Sequence, residues 1–396
     1  MDIIFISMSS WDNEISSAAL SLAKELAKQH RVFYFDNPFT LKDFIADYRH
    51  PKIRSRRLRF FSEQRRCQAL PELGAGFHAV TPSLTLPINF LPRGAVYRLF
   101  LRLNRWIVRR NLRNLRRRYR IERYIFFNSF NPFYHGIATG APLLTVYQSR
   151  DDISQVTYGS KHGVALEEEA IRASDMNFAT SQQLARQLQE RTRRPVHHLP
   201  NAVDLAAFPR ASAFLARPAD IADIDRPIIG YVGNLDQRVD YNLLRRIATD
   251  HPDKVLVCIG PRNDRSYHSY DFESLPNVRF LGAKPHDRLH HYLPFMAATI
   301  IPFVKNTLTA SIYPLKLNEY LAAGKPVVTT NFSEDVRGFA SVCYIANDAT
   351  SFSQLINEAV AQTDNQDLVQ QRIAFARNNS WEARIASFWQ TVEPLL

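Results

Sequence analysis

Short apolar runs alternate with stretches of helical periodicity along almost the whole chain. DIIFIS at residues 2–7 reads as a strand, SSAALSLAKELAKQH as a helix and RVFYFDN as the next strand. After a less regular stretch come a helix from about Arg93 to Tyr119, strands around ERYIFFN and PLLTVYQS, a helix near Val164 to Ala173, strand MNFATS and helix QQLARQLQE. β-rich runs separated by helices are the signature of parallel α/β sheets. From Leu205 to Pro227, prolines and small residues break the rhythm, as a linker does. A second series then begins with strands IIGYVGN, KVLVCIG, NVRFLG, ATIIPFV, PVVTT and VCYIA. The chain ends in a helical stretch where Trp381, Ile385, Phe388 and Trp389 share a face.

The pattern predicts an α/β protein with two domains, at 1–204 and 227–380, a linker at 205–226 and a terminal helix at 381–396. Open α/β sheets bind ligands at the carboxyl ends of their strands, so two in tandem place the function in a cleft between those ends.

Composition narrows this reading. With 396 residues, 45% apolar and 22% charged, the chain is neither a small module nor a disordered one. Three distant cysteines (Cys67, Cys258, Cys343) build neither a disulfide framework nor a zinc knuckle and fit a reducing compartment. The first residues lack the basic and then apolar pattern of a leader, and no run approaches the length of a membrane span. The expected location is therefore cytoplasmic. The net charge of +12 is uneven. Residues 1–200 hold 31 Lys and Arg against 17 Asp and Glu, and the stretch from Pro51 to Arg123 alone holds 19 against 3. Such asymmetry calls for a polyanionic partner of the first half.

Candidate chemistry concentrates in IIPFVKNTLTASIYPLKLNEYLAAGKPVVTT, residues 300–330. A strand ends near Phe303, a polar loop follows, and Pro314 suits the first turn of a helix capped by Gly324. The amino end of that helix offers backbone N–H groups and a positive dipole to an anion, and Lys316 adds a full charge. Glu319, three residues on, is placed to accept hydrogen bonds from a diol. The competing reading is an amphipathic helix with a surface ion pair.

PLKLNEYLAAGKPVV resembles the donor-binding motif of GT-B glycosyltransferases, in the branch similar to family 4 (group 1) bacterial polysaccharide and teichuronic-acid-type enzymes. The segments ATSQQL with LPNAVDLAAF, GYVGNLDQRVD, FLGAKP and NNSWEAR agree in order and spacing. The resemblance is strong from Asp175 onward and weak in the first 130 residues. It implies two Rossmann-like domains facing each other across a cleft, with the nucleotide sugar on the second and a carboxy-terminal helix crossing back to the first. By position, Pro314, Leu315 and Lys316 hold the diphosphate and Glu319 the ribose; Gly233, Asn234 and Arg238 approach the phosphates; Gly282 to Lys284 frame the base. Arg238 would neutralise the leaving group, so neither a metal nor another cofactor is expected beside the nucleotide-sugar co-substrate. The chain departs from the family's Glu-x7-Glu pattern, with Ser311 standing eight positions before Glu319.

In the first half, SMSSWDNE (Ser7 to Glu14) and TVYQSRDDISQ (Thr145 to Gln155) follow predicted strands. Asp12 and Asp151, beside Arg150 and Asp152, are candidates for orienting or deprotonating an acceptor hydroxyl; helix capping is the alternative for both segments. His135, His162, His197 and His198 show no metal-ligand spacing. RGAVYRLFLRLNRWIVRRNLRNLRRRYR sets Leu99, Leu103, Trp106 and Leu112 among Arg102, Arg109, Arg110, Arg113, Arg116 and Arg117 at helical spacing. A solvated helix face, a surface for anionic lipid and a nucleic-acid site compete; without aromatic platforms or a known module for nucleic acid, the lipid surface is favoured. The combined expectation is a peripheral enzyme on the inner face of the plasma membrane. It would move a sugar, most readily from a UDP donor, to a lipid-linked saccharide in envelope or exopolysaccharide synthesis. A non-catalytic membrane- or polysaccharide-associated protein on a degenerate fold is the alternative.

Overall fold

In the computed structural model, which describes residues 1–12, 17–155, 159, 161–208, 216–263 and 265–396, the chain divides into two compact units. One comprises Met1–Leu199 with Ile385–Leu396, the other Pro200–Arg384.

The first unit contains β1 (Asp2–Ser7), α1 (Ala18–Leu26), β2 (Arg31–Phe35), α2 (Leu41–Ala46), α3 (Pro51–Phe61), β3 (Cys67–Ala69), β4 (Phe77–Val80), α4 (Ala95–Tyr119), β5 (Tyr124–Ser129), β6 (Leu144–Ser149), α5 (Gly163–Ala173), β7 (Met176–Ala179), α6 (Gln182–Thr192) and β8 (His197–His198). Its sheet runs β3-β4-β2-β1-β5-β6-β7-β8, parallel except for the β3–β4 pair. Ile4, Ile6, Phe33, Phe35 and Phe126 pack with Tyr97, Leu101, Val108 and Leu112 of α4 in one buried cluster. Strands covered on both faces read as continuous apolar runs, as these do.

The second unit contains β9 (Ile228–Val232), α7 (Tyr241–Asp250), β10 (Val255–Ile259), β11 (Val278–Gly282), β12 (Met296–Ile301), α8 (Thr307–Ala310), α9 (Leu315–Ala322), β13 (Val327–Thr330), α10 (Glu334–Arg337), β14 (Tyr344–Ala346), α11 (Ala349–Ala361), α12 (Gln366–Asn378) and the start of α13 (Trp381–Val392). Its sheet is wholly parallel in the order β11-β10-β9-β12-β13-β14, the doubly wound arrangement in which strand order reverses between β9 and β12. The corresponding reversal in the first unit lies between β1 and β5.

Within the stretch expected to be a linker, Phe208, Ile221 and Ile224 are buried in the second unit. The apolar spacing of Ile221 and Ile224 anchors it, and Arg279 of β11 pairs with Asp223 at 2.6 Å. On α4, Leu112 does not join the outward row of Leu99, Leu103 and Trp106; it is buried while those three are exposed. Within the segment Ser7 to Glu14, residues 13 and 14 lie outside the described residues, as do residues 209–215 of the expected linker.

Candidate functional site

The site assembles where the strand order of the second unit reverses. β9, β10 and β11 end side by side on Gly233, Gly260 and Gly282. Gly233 donates its N–H to the Ile259 carbonyl at 2.8 Å, and Gly260 donates to Gly282 at 2.9 Å. Gly233 (φ 154°) and Gly260 (φ 152°) occupy backbone space that favours glycine. A Cβ on Gly260 would lie 2.0 Å from the Gly233 carbonyl oxygen, and one on Gly233 would lie 2.1 Å from Cε of Lys316. The lysine stem therefore crosses a bare α-carbon. Gly233 and Gly282 were legible in the sequence; Gly260 was not, because its role is to let Gly233 approach.

Lys316 enters from α9. Pro314 stands at the N-cap, one residue before the helix, and provides no side-chain cap. The helix ends in a Schellman arrangement: Gly324 (φ 73°) donates to Leu321 at 2.9 Å, and Lys325 donates to Tyr320 at 3.0 Å. Tyr320, from the same helix, receives a hydrogen bond from the Val232 N–H at 2.8 Å and so ties α9 to the end of β9. The Lys316 ammonium makes no hydrogen bond or salt bridge among the described residues. Burial lowers its pKa, Arg238 pushes the same way, and the charges of Glu319 and Asp236 oppose them. Glu319, half-buried, lies one turn along. Leu315 occupies the first helical position, its N–H donating to the Tyr313 carbonyl at 3.0 Å.

Arg238 follows β9 and is held as a fork on Asp236, with Nε–Oδ1 2.9 Å and Nη2–Oδ2 2.6 Å. Its guanidinium lies 5.7 Å from the centre of the Phe303 ring. The Val304 N–H donates to the Arg238 carbonyl at 2.8 Å, which pins the loop after β9 to the loop after β12. Burial raises the Asp236 pKa, but hydrogen bonds and charge from Arg238 outweigh it and the net direction is down. Asp236 was missed from the sequence: nothing local distinguishes an aspartate that orients an arginine from one that faces water. The Asn234 carbonyl accepts from the Tyr231 hydroxyl at 2.8 Å.

Ser311 is buried at the end of α8 and donates to the Leu308 carbonyl at 2.8 Å, so its hydroxyl serves the local turn. Lys284, expected to help frame the base, pairs with Asp220 at 2.7 Å. Asp220 also accepts from the Tyr292 hydroxyl at 3.0 Å. Both Asp220 and Tyr292 line a surface cavity of about 400 Å³.

In the first unit, Asp12 follows β1 and accepts from Ser10 Oγ (2.8 Å) and Arg56 Nη1 (2.7 Å). Burial opposes ionisation of Asp12, but these hydrogen bonds prevail and lower its pKa. Arg56 is fully buried and also reaches Asp36 at 3.1 Å, while burial pushes the Asp36 carboxyl up to about 6. Asp151 is exposed, whereas Asp152 caps the turn at Ile153–Gln155 by accepting from Ser154 N–H (3.0 Å) and Oγ (2.7 Å). Glu167 of α5, absent from the sequence-based candidates, is wholly buried behind the end of β6. It accepts from Ser149 Oγ at 2.6 Å and Tyr147 OH at 3.2 Å, and burial drives its pKa up to about 7.

On α4, Arg102, Arg109, Arg110, Arg113 and Arg117 are exposed. Arg116 is not part of that face: its guanidinium donates to the Thr139 and Ile121 carbonyls and lies 4.8 Å from the centre of the Tyr124 ring. His162 stacks on Tyr97 with ring centres 3.6 Å apart. Among the described residues no group of three or more His, Cys, Asp or Glu side chains is placed to hold a metal ion.

Residues 226–362 match the family described as glycosyl transferases, group 1. A putative teichuronic acid biosynthesis glycosyltransferase of Bacillus subtilis, TuaH, is 25% identical over 195 residues, 48% of either chain. The chain thus matches about half the length of that curated relative. Sucrose-phosphate synthase from Thermosynechococcus elongatus has the same fold at a TM-score of 0.67 and 15% identity, over 100% of this chain and 98% of that one. Anabaena Alr3699/HepE, solved in complex with UDP and glucose, aligns at a TM-score of 0.59 and 15% identity, over 98% and 99%.

Proposed function

We propose that this chain, which carries a group 1 glycosyltransferase domain within a GT-B fold, transfers a sugar from a nucleoside diphosphate donor to a saccharide acceptor. The observation that carries the reading is the Lys316 ammonium, part-buried over Gly233 at the uncapped amino end of α9, where strand order reverses. A diphosphate there meets a full charge and a helix dipole at once. Glu319 is one turn away for the ribose diol, and Gly233, Gly260 and Gly282 leave a low floor for the nucleotide to cross. We assign UDP as the nucleotide, in line with the UDP and glucose bound by the Anabaena protein.

As the glycosidic bond to the donor breaks, negative charge grows on the diphosphate. On this reading Arg238, aimed by Asp236, and Lys316 would stabilise it, and no metal is called for. Acceptor activation falls to the first unit. There Asp151, which is exposed, and Asp12, which pairs with Arg56 and Ser10, are the candidate bases. The acceptor is assigned as a lipid-linked saccharide of cell-envelope or exopolysaccharide synthesis, because the basic excess sits in the first unit and the matched relative is named for teichuronic acid biosynthesis. The enzyme would then work as a peripheral protein on the inner face of the membrane. No helix among the described residues is long and apolar enough to cross one.

Titration with UDP, GDP and their sugars, followed by a transfer assay with and without EDTA, tests the reading. UDP-sugar binding that weakens in Lys316→Ala, with transfer surviving chelation, is the expected result. Nucleotide binding without hydrolysis or transfer would favour the non-catalytic alternative that the residue at Ser311 raises. Binding of no nucleotide would remove the donor site.

A further inference from the structure

Helix α4 has two apolar faces, and only one of them has a partner. Tyr97, Leu101, Val108, Leu112 and Leu115 are buried in the first unit, with Asn104 and Asn111 between them holding the strand-side backbone at Leu86 and Ser83. On the outward side Val96, Leu99, Leu103 and Trp106 are 57%, 64%, 42% and 55% exposed. Steps of three and four residues put these four on one stripe. Continuing the same steps gives Arg110, Arg113 and Arg117, all exposed. The stripe is therefore graded, aliphatic and aromatic over its first half and cationic over its second. Arg102 and Arg109 flank it, and the Arg110 guanidinium lies 5.9 Å from the centre of the Trp106 ring. All 25 residues of the helix lack a carboxylate.

A solvated helix face would place polar residues on this row. A second copy of the chain would bring another arginine-rich, carboxylate-poor surface against the first, since residues 51–123 hold 19 basic and 3 acidic side chains. Nucleic acid would engage the arginines and leave the aliphatic row in water. An anionic bilayer matches both halves: headgroups for the arginines, the acyl boundary for the apolar residues, and the depth between them for an indole ring.

We propose that the outward stripe of α4 inserts into an anionic bilayer, with Val96, Leu99, Leu103 and Trp106 entering the acyl boundary while Arg110, Arg113 and Arg117 stay at the phosphates. This rests on the membrane reading above and adds to it which residues enter and a binding component that salt does not remove. Amphipathic helices of this kind bury the apolar face roughly 5–10 Å into the boundary.

The test uses the full chain with phosphatidylcholine vesicles, with and without phosphatidylglycerol. The expected result is binding that requires phosphatidylglycerol, with quenching of Trp106 by acyl-brominated lipid that disappears in Trp106→Phe. Leu99→Asp with Leu103→Asp should weaken vesicle binding by roughly tenfold or more, with unchanged melting and UDP affinity. Arg110→Gln, Arg113→Gln and Arg117→Gln should each cost about fivefold and flatten the salt dependence. Binding wholly reversed by salt, with Trp106 unquenched, would overturn insertion and leave surface attraction standing. No vesicle binding would overturn both. Dimerisation or RNA binding that depends on Leu99 and Leu103 would assign the stripe to another partner and overturn the proposal; unchanged UDP affinity in those variants keeps the donor site separate from either outcome.

Discussion

A lysine ammonium folded over the α-carbon of Gly233 has lost part of its hydration and gained no hydrogen bond among the described residues. A bound diphosphate would supply what it lacks. Lys316→Ala should weaken UDP binding roughly ten- to hundredfold, the worth of a hydrogen bond to a charged group, while calorimetric melting of the unliganded protein stays level. Gly233→Ala tests the same contact with the charge kept: the added Cβ displaces the lysine stem, and UDP affinity should fall similarly. Unchanged affinity in both would place the phosphates elsewhere. Glu167 supports a different prediction. Its carboxyl titrates near 7 in the fold against about 4.5 when unfolded, so between those values the folded protein holds a proton that the unfolded chain has released. Stability contributed by this group is full below pH 4.5 and is lost as pH rises through 7, by about 3 kcal/mol from a shift of this size. Glu167→Gln should remove that part of the pH dependence, read as a smaller fall in denaturant midpoint between pH 5 and pH 8 than in the wild type; equal slopes would refute the assignment. Lys316 and Glu319 stood out as candidates in the sequence because their spacing is local. Asp236, Arg56, Asp36 and Glu167 did not, since each owes its role to a partner or a burial that only the tertiary fold creates.

Elements with long apolar runs were legible: β1, β2, β5, β6 and β7, and every strand of the second unit, fall where the pattern puts them. The stretch between β2 and α4 was not. β3 is CQA, with no two adjacent apolar residues, and α2 has no buried residue to mark a face. α4 was legible as a helix but not as a helix with two apolar rows, because one list of apolar positions does not say which row meets the core. The last helix gives the element-scale prediction. Within the first unit, Phe388 of α13 is buried with its ring centre 5.7 Å from Phe127 and 5.5 Å from Phe178, and Trp389 lies 4.9 Å from His30. Phe388→Ala should cost about 3–5 kcal/mol, the usual range for a buried phenylalanine, and ending the chain before Ile385 should yield protein that melts far lower or fails to fold. A shortened chain with unchanged melting would mean these rings contribute no stability.

At the scale of the whole molecule, charge is partitioned rather than merely high. The first 200 residues carry an excess of 14 positive charges (31 against 17) and the remainder an excess of 2 negative ones (19 against 21). A surface attraction of this kind decays over a Debye length of about 10 Å at 0.1 M salt, whereas the proposed donor site would rely on short contacts to Lys316 within the other unit. Ionic strength should therefore act on the two substrates unequally. With an acceptor embedded in acidic vesicles, raising salt should depress turnover by lowering the amount of enzyme on the surface, and it should do so as an increase in apparent KM for the acceptor. With a short soluble acceptor, turnover over the same salt range should stay nearly flat. Replacing Arg109, Arg110, Arg113 and Arg117 by glutamine should give the first assay the low rate that salt gives the wild type and leave the second alone; Arg116 is kept, because it packs against Tyr124. Equal salt sensitivity with both acceptors would mean that the basic unit acts on the saccharide itself, and that the positive excess is part of acceptor binding, not of membrane attachment.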